Sequence, residues 1–212
     1  MNKELVVLVA DIQQEKTLDT LLRERYQSFD IRPIPDYDIF RHPRKDPGVF
    51  HEAADFLAPY VTSHRHALVV LDAAWDGAPG DAAYLRNQLM NGMQTKGWEE
   101  NDCQAIVINP ELEIWVWADS REVSGVLRTS WDDIHALAKQ AGYWDEDQPK
   151  PGYPKELLEA LLQRQRRPRS SALFQEIARR VGLSRCQDPA FVMLRETLQA
   201  WFGHDKDSTP SA

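Results

Sequence analysis

The chain has 212 residues, 42% of them hydrophobic and 27% charged, with a net charge of −8. That is enough apolar material for one sizeable core, while an acidic total does not draw nucleic acid over the whole surface. No apolar run approaches the ~20 residues that span a bilayer, and two cysteines, Cys103 and Cys186, are too few for a disulfide framework or a zinc site, so free thiols in a reducing cytoplasm are expected.

In chain order, the first element is an apolar run at 5–10 (LVVLVA), which turns polar too soon for a signal peptide and reads as a strand. Two more runs, 67–71 (ALVVL) and 104–108 (QAIVI), have the same length and β-branched content. Runs this continuous suit strands buried on both faces of a parallel sheet. Helical spacing follows each strand or precedes the next. It is carried by Leu18, Leu21, Leu22 and Tyr26 in 14–29, by Phe50, Ala54, Leu57 and Val61 in 48–63, and by Tyr84, Leu85, Leu89 and Met93 in 81–96. Segment 30–40 alternates weakly and holds two prolines, which makes it at best an edge strand. After Pro110 the pattern is helical, at 110–119, 131–141, 153–164, 172–181 and 189–202, with a proline-rich connection at 144–154. The expectation is an α/β fold with a mainly parallel sheet sandwiched by helices and followed by a helical half. It divides into an α/β domain over 1–120, a helical extension over 121–203 packed on it, and a flexible tail over 204–212.

Open α/β sheets work in the crevice beyond the carboxyl ends of their strands. After the first run stand Asp11 and Glu15; after the second, Asp72, Asp76 and Asp81; after the third, Asn109-Pro110-Glu111-Leu112-Glu113-Ile114-Trp115. Carboxylates gathered at one edge repel each other unless a cation or proton sits among them. Hard oxygen ligands suit Mg²⁺ or Mn²⁺, which can polarise a phosphodiester and activate water. Asp11, Asp72, Asp76 and Glu113 are the expected ligands, with Asp72, Glu113 and Glu15 in catalytic roles. The competing reading is that Asp11 and Asp72 cap the helices that follow, as Asp81 is expected to do.

Arg164, Arg166, Arg167 and Arg169, followed by Arg179, Arg180 and Arg185, form a basic stretch. It fits a phosphate-binding face and equally a solvated arginine-rich helix. Lys155 and Lys150 are candidate phosphate ligands. Ile114, Trp115, Val116 and Trp117 are dense enough to be core around Glu113 rather than a base-stacking platform, and a Glu113 buried there would need a cation or an arginine beside it. His64 and His66 are expected to be structural. The segment 9–14 (VADIQQ) lacks the glycines of a phosphate loop, and no Gly-x-Ser-x-Gly elbow occurs, which removes most hydrolase classes other than metal-dependent ones.

An acidic patch after strand one, an aspartate-rich motif after a later strand, and 109–119 (NPELEIWVWAD) with its Glu113 and Trp115 resemble the Toprim superfamily. The closest likeness is to the small Toprim-like proteins of bacterial defence islands, among them the RloB-like group and the catalytic domains of overcoming-lysogenization nucleases. The stretches Tyr153-Pro154-Lys155 and 186–191 (CQDPAF) are similar to that group too, as in the small Toprim-like component of a methylation-associated defence system. The resemblance implies a cytoplasmic antiviral component, a divalent-metal-dependent nuclease or phosphoesterase acting on DNA, RNA or a nucleotide, with other defence proteins as partners, no membrane and an open oligomeric state. Two departures stand against it. Toprim enzymes place Glu-Gly directly after strand one where this chain has Ala10-Asp11, and their Asp-x-Asp is here Asp72-Ala73-Ala74. Asp11 or Glu15 would have to substitute, or the fold serves as a catalytically degenerate binding or assembly subunit.

Overall fold

A computed structural model describes residues 2–118, 120–145, 147–181 and 186–204. Four strands, β1 (Lys3–Val9), β2 (Tyr37–Arg41), β3 (His64–Asp72) and β4 (Cys103–Ile108), form one parallel sheet in the order β2-β1-β3-β4. From β1 the strands are added in opposite directions, β2 on one side and β3 then β4 on the other, so β1 and β3 flank a topological switch point. Helices α1 (Ile12–Glu24), α2 (Lys45–Leu57) and α3 (Ala82–Thr95) connect the strands.

The central strands carry apolar residues at successive positions because both faces are covered. Leu5, Val7, Val9, Leu68, Val70, Ile106 and Ile108 belong to the core shared with α1 and the C-terminal helices. Val6, Leu8, Ala67, Val69, Leu71, Ala105 and Val107 face α2 and α3. The weakly patterned 30–40 segment yields β2, an edge strand of five residues that starts beyond Pro33 and Pro35, which cannot donate to a ladder.

The helical half comprises α4 (Arg121–Leu127), α5 (Trp131–Ala141), α6 (Pro154–Arg164), α7 (Ser171–Arg180) and α8 (Pro189–Phe202). Their N-termini are defined by side-chain oxygens: Ser120, Ser130, Ser170 and Asp188 accept backbone N–H groups of α4, α5, α7 and α8. The expected helix over 110–119 does not form. That stretch holds only a short 3₁₀ turn, Leu112–Trp115, because its polar groups are taken by distant partners. The Leu112 N–H donates to the Asp72 Oδ1 at 3.0 Å, the Trp115 indole to Asp188 at 2.9 Å and the Trp117 indole to the Pro154 carbonyl at 3.0 Å. Both tryptophans are buried, as their apolar surroundings suggested.

Apolar residues from Leu5 to Phe202 make one continuous cluster on the α1 face of the sheet. The end of α8 is tied back to the first half of the chain: Gln199 donates to the Phe29 carbonyl (2.8 Å), Trp201 to that of Asn101 (2.7 Å), and Ile31 bridges Gly203. Cys103 and Cys186 are both free and buried. No helix among the described residues is long and apolar enough to cross a membrane. Arg185, Asp119 and the tail beyond His204 lie outside the described residues.

Candidate metal centre

The exits of β3 and β4 are stitched together by their backbones. The Ala73 N–H lies 2.7 Å from the Ile108 carbonyl and 3.0 Å from that of Pro110, and the Ala74 N–H donates to Pro110 at 2.9 Å. This clamp, with a cis Asn109–Pro110 peptide at its turn, sets Asp72 beside Glu111 and Glu113. One carboxylate oxygen from each of the three lies within 4.8 Å of the others.

Asp72 does not cap a helix. Its Oδ1 accepts from the Gln14 side-chain amide (2.9 Å) and from the Leu112 N–H (3.0 Å), while its own N–H donates to Asp46 Oδ1 (2.9 Å). Gln14 is held for this role because its carbonyl accepts the Ala10 N–H at 2.9 Å. Burial raises the Asp72 pKa well above the usual carboxylate range, and the charges of Asp46, Glu113, Asp11 and Glu111 push the same way. Asp46 is also raised, chiefly by burial, against the lowering effect of the Asp72 N–H. Burial, then Glu113, lifts Glu111 to about 6, although Lys155 opposes the shift from 3.5 Å. Lys155 is raised in return: burial opposes its charge, and Glu111 and Glu113 outweigh it.

Glu113 is 1% exposed and paired with Arg169, whose Nε donates to Oε1 at 2.9 Å and whose Nη2 contacts the same oxygen. Phe174 lies under that guanidinium, 5.4 Å from its ring centre. The arginine that a buried Glu113 was expected to need is thus supplied by the loop between α6 and α7.

The structure brings Asp72 and Glu113 together and leaves other expected ligands apart. Asp11 caps α1, its Oδ1 accepting the Gln13 and Gln14 N–H groups at 2.9 Å each, yet it stays close enough to act on Asp72 electrostatically. Glu15 is engaged by Arg41 at 2.6 Å and Lys16 at 3.1 Å. Asp76 is exposed in the loop before α3, and Asp81 caps that helix. The sequence reading gave no role to Glu111, Asp46 or Gln14. Glu111 stands in the same Asn-Pro segment as Glu113, whereas Asp46 precedes the position where apolar spacing begins α2.

The basic stretch does not gather on one face. Arg164 reaches Gln140 at 3.3 Å, Arg167 donates to the Val126 carbonyl at 3.0 Å, and Arg166 is exposed. Arg179 pairs with Glu24 at 2.6 Å and Arg180 with Glu176 at 3.2 Å. Among the described residues, only Arg169 and Lys155 of these cations reach the carboxylates, while Lys150 donates to the Ile114 carbonyl at 2.9 Å. His64 sits between Ser63 and Asp38, and His66 stacks on Trp201 at 4.6 Å, both away from the carboxylates at the opposite end of β3.

The donor set is all oxygen, and Asp72 and Glu111 both have raised proton affinity, which suits a hard divalent cation; Arg169 and Lys155 already supply part of the compensating charge. No protein-family model, no curated protein and no solved structure matches this chain.

Proposed function

We propose that this chain is a Toprim-like component of an antiviral defence system that hydrolyses phosphodiester bonds with a divalent cation. The observation that carries the proposal is the convergence of Asp72, Glu111 and Glu113 at the carboxyl edge of a parallel sheet, beside its switch point. These three residues would hold Mg²⁺ or Mn²⁺, which when bound supplies charge stabilisation for a phosphoryl group and a more acidic water. Asp72 is fixed by Gln14 and Leu112, so its second oxygen is presented without rotamer freedom. Glu111, raised to about 6 chiefly by burial, would have to give up its proton to hold the cation, so ion binding should tighten as pH rises through that value. Arg169 and Lys155 stand beside the carboxylates as donors for a phosphoryl oxygen.

Plasmid, single-stranded DNA and RNA incubated with Mn²⁺ or Mg²⁺ test this, alongside Asp72→Ala and Glu113→Ala proteins. Cleavage by the parent that falls at least 100-fold in both variants is expected. No cleavage, or equal cleavage by all three, removes the enzymatic reading.

A second reading has its own support. Glu113 already has a full ionic partner in Arg169, and the position after strand one is used as a helix cap by Asp11. Both suit a non-catalytic binding or assembly subunit. Calorimetric titration with Mn²⁺ separates the two, since such a subunit binds no ion at Asp72.

A further inference from the structure

A second cleft of about 740 Å³ opens beyond the carboxyl ends of β1 and β2, next to the carboxylate cluster. Arg41, Lys45 and Arg169 line it together with Asp11 and Glu15. Three cations and two acids line the cleft; Arg41 is paired with Glu15 and Arg169 with Glu113, so the positive excess rests on Lys45. The acids are already engaged, Asp11 by the N–H groups of α1 and Glu15 by Arg41, whose guanidinium it holds at the cleft wall. His42 also lines the cleft, but its ring is committed, with Nε2 2.9 Å from Glu52 and Nδ1 accepting the Arg44 N–H at 3.2 Å.

Two covalent neighbours and one ion pair connect this cleft to the carboxylates. Lys45 lines the cleft while the adjacent Asp46 accepts the Asp72 N–H. Arg169 lines the cleft while its Nε and Nη2 bind Glu113; its Nη1 makes no hydrogen bond among the described residues. Lys45 also holds a left-handed backbone, φ 51°, at the start of α2. Asparagine or glycine adopts that conformation more readily. A lysine in that place is accounted for if its ammonium is needed.

We propose that the β1/β2 cleft is a phosphate-binding subsite in which Arg41, Lys45 and Arg169 receive a phosphate of a nucleotide or nucleic-acid strand beside the carboxylate cluster. The inference rests on the phosphodiesterase reading for its choice of ligand, and its test does not depend on cleavage. Arg169 keeps its Nη1 and Arg41 the guanidinium N–H groups that Glu15 does not take, and a lysine adds a compact charge, so the three residues supply the recognition that the carboxylates cannot. Such placement would set the phosphate on Arg169, beside the carboxylate edge.

The test is equilibrium binding without turnover, in EDTA and separately in Ca²⁺, using fluorescein-labelled single-stranded DNA and RNA 12-mers, with AMP and inorganic phosphate as competitors. Lys45→Asn, which suits the left-handed backbone, and Arg41→Gln are compared with the parent; unchanged thermal melting confirms that each is folded. Each variant is expected to lose roughly tenfold in affinity. The double variant should lower the slope of log K against log salt by about 1.4 on a single strand. Competition by AMP or phosphate alone identifies a small phosphorylated ligand, and competition only by oligonucleotide identifies a strand; either supports the subsite. Parent-like binding by the double variant, or no binding of any probe to the parent, overturns it. Absent cleavage with intact, Arg41- and Lys45-dependent binding would retire the enzymatic reading and leave the subsite standing.

Discussion

Arg169 and Glu113 form the pair on which the site is most dependent. Removing one partner of a buried pair strands the other charge, whereas removing both removes the problem. Arg169→Ala should therefore cost about 3 kcal/mol in urea unfolding, and the Arg169→Ala/Glu113→Gln double change should recover part of that loss. A double change as unstable as the single would mean that Arg169 acts through Phe174 packing instead. Glu111 gives a second residue-level expectation. Its folded pKa of about 6 exceeds the ordinary 4.5, so the native state holds the proton more tightly than the unfolded chain. Its contribution favours folding at low pH and turns unfavourable as pH rises from about 4.5 through 6, by on the order of 1–2 kcal/mol. Glu111→Gln should consequently gain stability over the parent across that window, read as the difference in melting temperature at pH 4.5 and pH 7. Mn²⁺ binding by the parent should narrow the difference, because the ion replaces the proton.

At the scale of elements, β3 and α8 are joined by a histidine that must stay neutral. His66 is buried against Trp201 and Phe202; Asp102 lies 3.3 Å from its Nδ1, yet neither ring nitrogen makes a hydrogen bond. Burial is the main cause that depresses its pKa to about 4. The unfolded chain takes up this proton near pH 6.5, so the contribution of His66 is present above that value and is lost as pH falls toward 4, on the order of 2–3 kcal/mol in all. His66→Phe keeps the ring stacking and should flatten the acid limb of the stability curve between pH 6.5 and 4. Elements also show where sequence patterns stop being informative. Three of the strands and most helices were legible because burial leaves a continuous apolar run or a helical period, whereas β2 was read only as at best an edge strand within 30–40. The 110–119 segment was not, since LEIWVW has the apolar density of a helix while its polar atoms are claimed by Asp72, Asp188 and Pro154, none of them near in sequence. The seven residues of α4, with a glycine inside, carry too little periodicity to be seen.

For the whole molecule, the carboxyl edge of the sheet was the right place to look, and Asp72 and Glu113 were visible as acids that follow apolar runs. Their partners were not. Arg169 sits 56 residues from Glu113, and Asp46 lies 26 from Asp72, so only the folded chain reveals that charge and counter-charge meet. The arginine stretch misled for the same reason: neighbours in sequence leave the loop toward Gln140, Val126 and Glu113 respectively. Because the helical half provides Arg169, Lys155 and much of the apolar cluster around β1, a fragment of residues 1–120 should not fold by itself. Poor amide dispersion in its NMR spectrum is expected, and a native-like spectrum would contradict the shared core.

The bridge between Ile31 and Gly203, with the Arg32 N–H on the Phe202 carbonyl at 2.9 Å, has a bearing on how the molecule is made. During synthesis the early strands leave the ribosome long before α8 exists, so the face of the sheet that α8 seals stays open to chaperones or to other nascent chains. Closure waits for α8, and slowing translation of the segment that encodes it would lengthen the interval in which aggregation competes with completion of the fold.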